Sequence, residues 1–428
     1  MQHSRILSTL LLSIFVSNIH ILQGETKQEW SFLTYIQADN NLAPFANINV
    51  RDMQKVGSTS DVNILVQWDK PSDQVTYRYK ILQNNMVVNS SIGQEMGFNP
   101  QKELVDSMKW AKKAFPAKRY ALILWNHGNG ILDRNKKQSV TSWFQLPGLS
   151  SSYWNDKGIL YDYSQNTFLD NKGLSRACSQ IKTSLGKNID ILGADACLMA
   201  LIEIAYQVKE SVDYLVASQH TEPGLGWPYA DVLSPLVGIP SMSSADTASA
   251  IVQAYGAFYN TDTYLDSSVT MSAIDVSKIK TATTTFNNVL KTIQEALLID
   301  KATTQAAINE ARANTTSFYI DDYVDLIDLY DKLSDSFDAL SQMGNRKLKK
   351  TRRERMAAIA TAVVEKIALA KTAALASIVS NKTGVDFDGK AYGVSIYFPA
   401  NGIVDSSYKK TAFAQDTNWV TVLNSLSA

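Results

Sequence analysis

The sequence predicts an α/β fold: a mostly parallel central sheet covered by helices on both faces, followed by a largely helical C-terminal part. Three observations carry this expectation. Strand-like and helix-like patterns alternate up to about residue 240. One strand, YALILW (residues 120–125), is apolar almost throughout, as a strand buried on both faces requires. Beyond about residue 240 helical periodicity prevails.

The elements follow in order. WSFLTYIQ (30–37) and VNILVQW (62–68) read as strands, and residues 76–82 as a hairpin arm. Asn99-Pro100 supplies a cap and a proline at the first helical position. Leu104, Met108, Ala111 and Phe115 then share one helical face, which Pro116 ends. After YALILW come a helix around 174–183, a strand at 189–194, a helix at 198–208 and the strand YLVAS (214–218). Residues 245–259, 281–298 and 356–380 read as helices, interrupted by strand-like pieces at 269–274 and 392–398.

With 428 residues, 45% of them hydrophobic, the chain can bury a large core. Its 41 basic residues balance 41 acidic ones, which gives no support to a nucleic-acid partner. His3, Ser4 and Arg5 precede the short apolar run ILSTLLLSIFV, the pattern of an export signal over residues 1–24. That run is shorter than the roughly 20 residues of a membrane span, and no later run is as long. The expected destination is periplasmic or secreted, with no stable membrane span after signal removal.

In open parallel sheets, ligands bind beyond the carboxyl ends of the strands. Two such ends carry reactive side chains. YALILW runs into Asn126-His127-Gly128, and IDILGA runs into Asp195-Ala196-Cys197. If these strands are neighbours, His127 faces Cys197 across one crevice, a pairing suited to thiolate attack on a carbonyl carbon. Read as the start of the 198–208 helix, Cys197 would also gain from the helix dipole. The Gly128 and Cys197 amides are candidate oxyanion donors. Residues 25–428 contain two histidines, His127 and His220, and no glycine-rich turn frames the second. Asp195 beside a thiolate opposes its ionisation, so it should point away, either into a pocket for a basic side chain or onto the following helix as a cap. Cys178, the other cysteine, reads as a buried helix residue.

The blocks WSFLTYIQADNNL (30–42), YALILWNHGNG (120–130), DACLMALIEIAYQV (195–208), YLVASQHTEPGLGW (214–227), YGVSIYFP and FAQDTNW together resemble the clostripain family of cysteine peptidases, in the caspase-like clan with gingipains and legumains. The resemblance implies a caspase-like fold and one peptidase domain over 25–428, with a catalytic core at about 28–240 and a mostly helical extension at about 241–428. It implies His127 and Cys197 as the catalytic pair and cleavage of protein or peptide substrates after arginine or lysine. It also implies Asp195 in the specificity pocket and Glu222 as a second acidic pocket residue. Members often cut themselves between histidine and cysteine, which makes Lys137 the self-cleavage candidate. No cofactor is required by this chemistry. No EF-hand loop is present, and a calcium requirement is left open. The alternative is a non-catalytic binding or adhesion protein on the same scaffold.

The basic run RKLKKTRRER (346–355) reads as a solvated helix start, and Asp321, Asp325 and Asp328 as one solvated helix face. Asp39-Asn40-Asn41 reads as a turn that could brace the crevice. No phosphate loop, G-x-S-x-G elbow or H-E-x-x-H motif occurs, which weakens nucleotide-hydrolase, serine-hydrolase and zinc-peptidase readings.

Overall fold

The computed structural model of the chain describes residues 27–71, 75–133, 158–261, 263–343 and 349–426. The expected export signal and Lys137 lie outside the described residues.

The first half alternates as expected. The run is β1 (Gln28–Gln37), α1 (Ala43–Val56), β2 (Val62–Asp69), β3 (Tyr77–Leu82), β4 (Asn85–Ser91), α2 (Pro100–Ala114) and β5 (Ala117–Trp125). Then come β6 (Ile159–Asp162), β7 (Thr167–Leu169), α3 (Asn171–Leu185), β8 (Ile189–Asp195), α4 (Ile202–Val208) and β9 (Val212–Ala217). The Asn99 side chain accepts from Lys102 N, so α2 begins at the cap read from the sequence. The second half holds α5 (Tyr229–Gly238), α6 (Ser244–Tyr259), β10 (Thr270–Asp275), α7 (Ile279–Ile299), α8 (Lys301–Asn314), β11 (Tyr323–Asp325), α9 (Leu326–Met343) and α10 (Lys350–Leu375). The chain closes with β12 (Ile378–Thr383), β13 (Ser395–Tyr397), α11 (Ala412–Asp416) and α12 (Trp419–Leu426).

Among the described residues one large sheet runs β12-β10-β9-β8-β5-β1-β2-β3-β4. Its middle, β9-β8-β5-β1-β2, is parallel, and the strands at each end pair antiparallel. From β1 the chain steps first to β2 on one side and then to β5 on the other. The strand order reverses there, which opens a crevice beyond the carboxyl ends of β1, β5 and β8. Register sets the site: Ile36 pairs with Trp125, and Trp125 with Asp195. Residues 126 and 196 therefore leave the sheet side by side.

Both sheet faces are covered. Helices α1, α5 and α6 bury Val50, Met53, Leu233, Ile251 and Tyr255 against one face. Helices α2, α3 and α4 cover the other, in one buried cluster with residues of α7, α9, α10 and α12. The last part is less purely helical than its periodicity implies. The run read as one helix from 356 to 380 ends at Leu375, and Ile378–Thr383 adds an outer strand against β10. Asp325 does not belong to a solvated helix face. It is fully buried at the end of β11, caps α9 through Ile327 N and Asp328 N, and accepts from Gln219 Nε2 at 2.9 Å.

Candidate active site

On the β5 side, Asn126 organises the turn. Its Oδ1 accepts from His127 N (2.6 Å) and Tyr161 N (2.8 Å), and its Nδ2 donates to Gln37 O (2.5 Å) and Tyr161 O (2.9 Å). All four possibilities of one amide side chain are thus used, and the backbone leading into His127 is fixed from both neighbours. The His127 ring lies edge-on to Tyr161, with Nε2 2.7 Å from Asn41 Oδ1. Gly128 must be glycine, since a Cβ there would stand 2.5 Å from Cys197 O. The histidine turn therefore packs directly on the cysteine turn.

On the β8 side, the expected helix does not start at Cys197. Leu198 adopts a positive φ of 65°, and α4 begins at Ile202. The intervening amides bond elsewhere: Leu198 N donates to His220 O (3.0 Å) and Ala200 N to Ser218 O (2.9 Å). Pairing with the end of β9 overrides the helical pattern, so Cys197 gains nothing from a helix N-terminus. Cys197 is half-buried, and its Sγ accepts from Glu222 N at 3.2 Å. Burial pushes its thiol up to about 12, the Glu222 amide opposes this, and the Glu222 and Asp195 charges add to it. Burial pushes the His127 imidazole down to about 3. Both shifts favour the neutral thiol and the neutral imidazole over an ion pair.

His127, Cys197, Asp195 and Glu222 line one pocket, together with Trp125, Pro223, Gly224 and Gly226. Its free space is about 30 Å³, room for about one water molecule. Among the described residues no lysine or arginine lines it. Asp195 is buried, and its Oδ2 accepts from Tyr229 OH (2.8 Å) and Trp227 N (3.3 Å). These partners come from the segment after β9, so Asp195 does not cap the helix that follows it. Gly226 takes a φ of 63°, and a Cβ there would stand 2.7 Å from Asp195 Oδ1. Glu222 is equally buried; no donor among the described residues meets its carboxyl oxygens in good geometry, and the Asp195 carboxyl bonds it when one of the pair carries a proton. Burial raises Asp195 from 3.8 to about 7, against the pull of Tyr229 and Trp227. Burial and then the Asp195 charge raise Glu222 well above its ordinary 4.5; the Ala196 amide and Trp227 indole oppose this without making well-formed bonds.

The other sequence candidates lie elsewhere. His220 does not line the pocket; its ring packs on Phe387 (5.0 Å), Phe318 and Tyr319, and Nδ1 meets Thr221 Oγ1 at 2.9 Å. Cys178 is fully buried on α3, and both cysteines are free thiols. Among the described residues no group of three or more His, Cys, Asp or Glu is arranged to hold a metal. No described helix is long and apolar enough to cross a membrane. Sequence reading missed Asn126, Trp227 and Tyr229 as parts of the site, and gave Asn41 only within a turn that could brace the crevice. Asn126 and Trp227 sat inside the quoted blocks, and Tyr229 two residues beyond one.

The arrangement resembles known proteins at both levels. A sequence model described as the clostripain family matches residues 34–425. Clostripain of Hathewaya histolytica is 24% identical over 232 residues, 47% of this chain; the chain spans 41% of the length of that curated relative. A secreted C11 cysteine protease from Bacteroides thetaiotaomicron, solved with an irreversible peptide inhibitor, superposes with a TM-score of 0.61 at 18% identity, covering 92% of this chain and 99% of that one. An inactive zymogen C11 protease from Parabacteroides distasonis gives 0.59 at 17% identity with the same coverage. These likenesses carry the caspase-like α/β arrangement. The chain belongs to the clostripain family.

Proposed function

We propose that this chain is an exported cysteine peptidase that cuts peptide bonds after arginine or lysine, with residues 25–428 acting as one unit. The observation that supports it best is the convergence of a thiol, an imidazole and two buried carboxyls on one pocket. His127 takes the Cys197 proton as sulfur attacks the scissile carbonyl carbon, and the oxyanion receives hydrogen bonds from the Gly128 and Cys197 amides. His127 then protonates the departing amine, and water hydrolyses the thioester. The basic side chain of the substrate enters between Asp195 and Glu222 and neutralises them.

The Parabacteroides distasonis neighbour is described as an inactive zymogen and the Bacteroides thetaiotaomicron neighbour as secreted. By analogy, this chain matures by cutting itself after Lys137 or a neighbouring residue and is exported through residues 1–24. The chemistry needs no cofactor; activity with and without added calcium decides that point. The test is turnover of an arginyl or lysyl peptide amide by purified protein. Cys197→Ala is expected to remove at least about a thousandfold of kcat. Undiminished turnover in that variant overturns the assignment, and no turnover by either protein, cut or uncut, favours a binding role.

A further inference from the structure

We propose that a basic side chain entering the pocket activates the Cys197 sulfur, because Glu222 touches the nucleophile with its amide and the cation with its carboxyl. This rests on the peptidase reading above. Glu222 lies on the loop after β9, and its N–H donates to Cys197 Sγ at 3.2 Å. The loop is anchored on both sides of it. His220 N donates to Thr270 Oγ1 and His220 O accepts from Leu198 N (3.0 Å each). Beyond it, Leu225 O accepts from Asn49 Nδ2 (2.8 Å) and Gly226 O from Tyr259 OH (2.7 Å). The Glu222 amide is therefore held on the sulfur, while the rotatable bonds of its side chain let the carboxyl turn on its own.

The free space of about 30 Å³ holds one water molecule, so a guanidinium or ammonium group enters once a wall side chain has turned. Glu222, whose carboxyl meets no donor in good geometry, is the wall side chain with least to lose. Its charge also acts on the sulfur. Burial holds the Cys197 thiol up; beyond that, the Glu222 amide favours the thiolate, and the Glu222 and Asp195 charges oppose it. A bound cation cancels both charges and leaves the amide bond in place. The thiol then ionises more readily, so the substrate that fits the pocket is the one that arms the nucleophile. The other titratable groups on this site do not answer to the cation. His127 on the β5 flank, and the phenols of Tyr229, Tyr255 and Tyr259 behind the carboxyls, are kept neutral by burial.

Alkylation by iodoacetamide reads the sulfur directly: a sulfur–carbon bond forms, iodide leaves and the thiol proton goes to water. Cys197→Ala supplies the background from Cys178. The rate is measured at about pH 8 with n-propylguanidine, the arginine side chain without its backbone, and with n-propylurea, its neutral counterpart, while the melting temperature reports binding. Saturating n-propylguanidine should raise the rate about threefold. A thiol that titrates about one pH unit lower gives about tenfold more thiolate, of about threefold lower nucleophilicity. The gain should vanish toward pH 5, where Asp195 holds its proton, and n-propylurea should give none. Glu222→Gln keeps the amide and removes the charge, so it should react faster without ligand and gain less than about 1.5-fold from n-propylguanidine. Bound n-propylguanidine without acceleration, or equal acceleration by n-propylurea, overturns the proposal, as does a Glu222→Gln variant that responds like the unaltered protein. If that variant does not fold, the two ligands decide alone. No binding of n-propylguanidine overturns the coupling together with the preference for basic residues. Full peptide turnover in Cys197→Ala would instead sink the peptidase reading and leave the alkylation result standing.

Discussion

On the β1–β5 flank of the crevice, Asn126, Asn40 and Asn41 direct their amides to named acceptors and donors, and the turn carrying His127 is held from several sides. On the β8–β9 flank, no donor among the described residues meets the two buried oxygens of Glu222 in good geometry, and the buried Trp227 Nε1 and Tyr255 OH also lack a partner. Buried polar groups in native proteins are ordinarily satisfied; among the described residues Thr34 Oγ1 and Tyr35 OH of β1 also lack a partner, but the amides that frame His127 are satisfied and the carboxyl of Glu222 meets no donor. The first flank is built to hold a geometry. Under the proposed function, the second receives the basic side chain of the substrate at Glu222 and Asp195.

That contrast breaks most directly at Asp195. Asp195→Ala removes one of two carboxyls facing the incoming cation. It should lower kcat/KM on an arginyl or lysyl peptide amide by about 100- to 1,000-fold, as loss of a buried charge partner does. The preference for basic over neutral residues should fall with it. An unchanged preference would show that the unsatisfied flank does not select the substrate. Asn126→Ala tests the other flank and should show in stability. It strips four hydrogen bonds and leaves the amides of His127 and Tyr161 without that acceptor, while Gln37 O and Tyr161 O keep Asn40 Nδ2. The expected loss is about 2–4 kcal/mol by chemical denaturation. A loss under about 0.5 kcal/mol would mean that this flank is not rigid on account of its amides.

The pH response sharpens the same contrast. Asp195 is raised to about 7 in the folded state from an ordinary 3.8. A folded pKa above the unfolded one means that the native state holds the extra proton, so this contribution to stability is complete below about pH 4 and fades as pH rises through about 7. A cationic side chain wants the ionised carboxyl, so its binding strengthens over that same rise. The melting temperature of the free protein should therefore fall from pH 5 to 8, while the increment from an arginine-like competitive ligand such as benzamidine grows. The double variant Asp195→Asn, Glu222→Gln should flatten both curves. A ligand increment independent of pH would separate these carboxyls from binding.

Much of the fold could be read because parallel-sheet strands are apolar on both faces and end at turns marked by glycine or asparagine; YALILW and IDILGA show both signs. The reading failed where a distant segment decided the local conformation. LMALIEIAYQV looks helical from Leu198, but Leu198 N and Ala200 N are taken by carbonyls that β9 brings alongside. Ile378 and Val379 continue an alanine-rich helical pattern, but pairing with β10 draws them into the sheet. His127 and Cys197 stood out because few residue types perform their chemistry. Asn41 did not, since asparagine after a strand is ordinarily a turn residue, and its contact with His127 spans 86 positions of sequence.

The smallest expected effect lies at Tyr229, whose hydroxyl bonds directly to one of the two pocket carboxyls. Its hydroxyl donates to Asp195 Oδ2 at 2.8 Å and so favours the ionised carboxyl. Tyr229→Phe keeps the buried ring and removes only that donor. Asp195 must then titrate higher still, by about one pH unit if the lost bond contributes about 1.4 kcal/mol. The consequence is specific in pH. Above the new midpoint KM for a basic substrate should match the unaltered protein, and below it KM should rise by up to about tenfold, while kcat stays level. A rise in KM that is uniform across pH would assign Tyr229 to pocket shape instead, and would leave the proton on Asp195 without influence over what the pocket accepts.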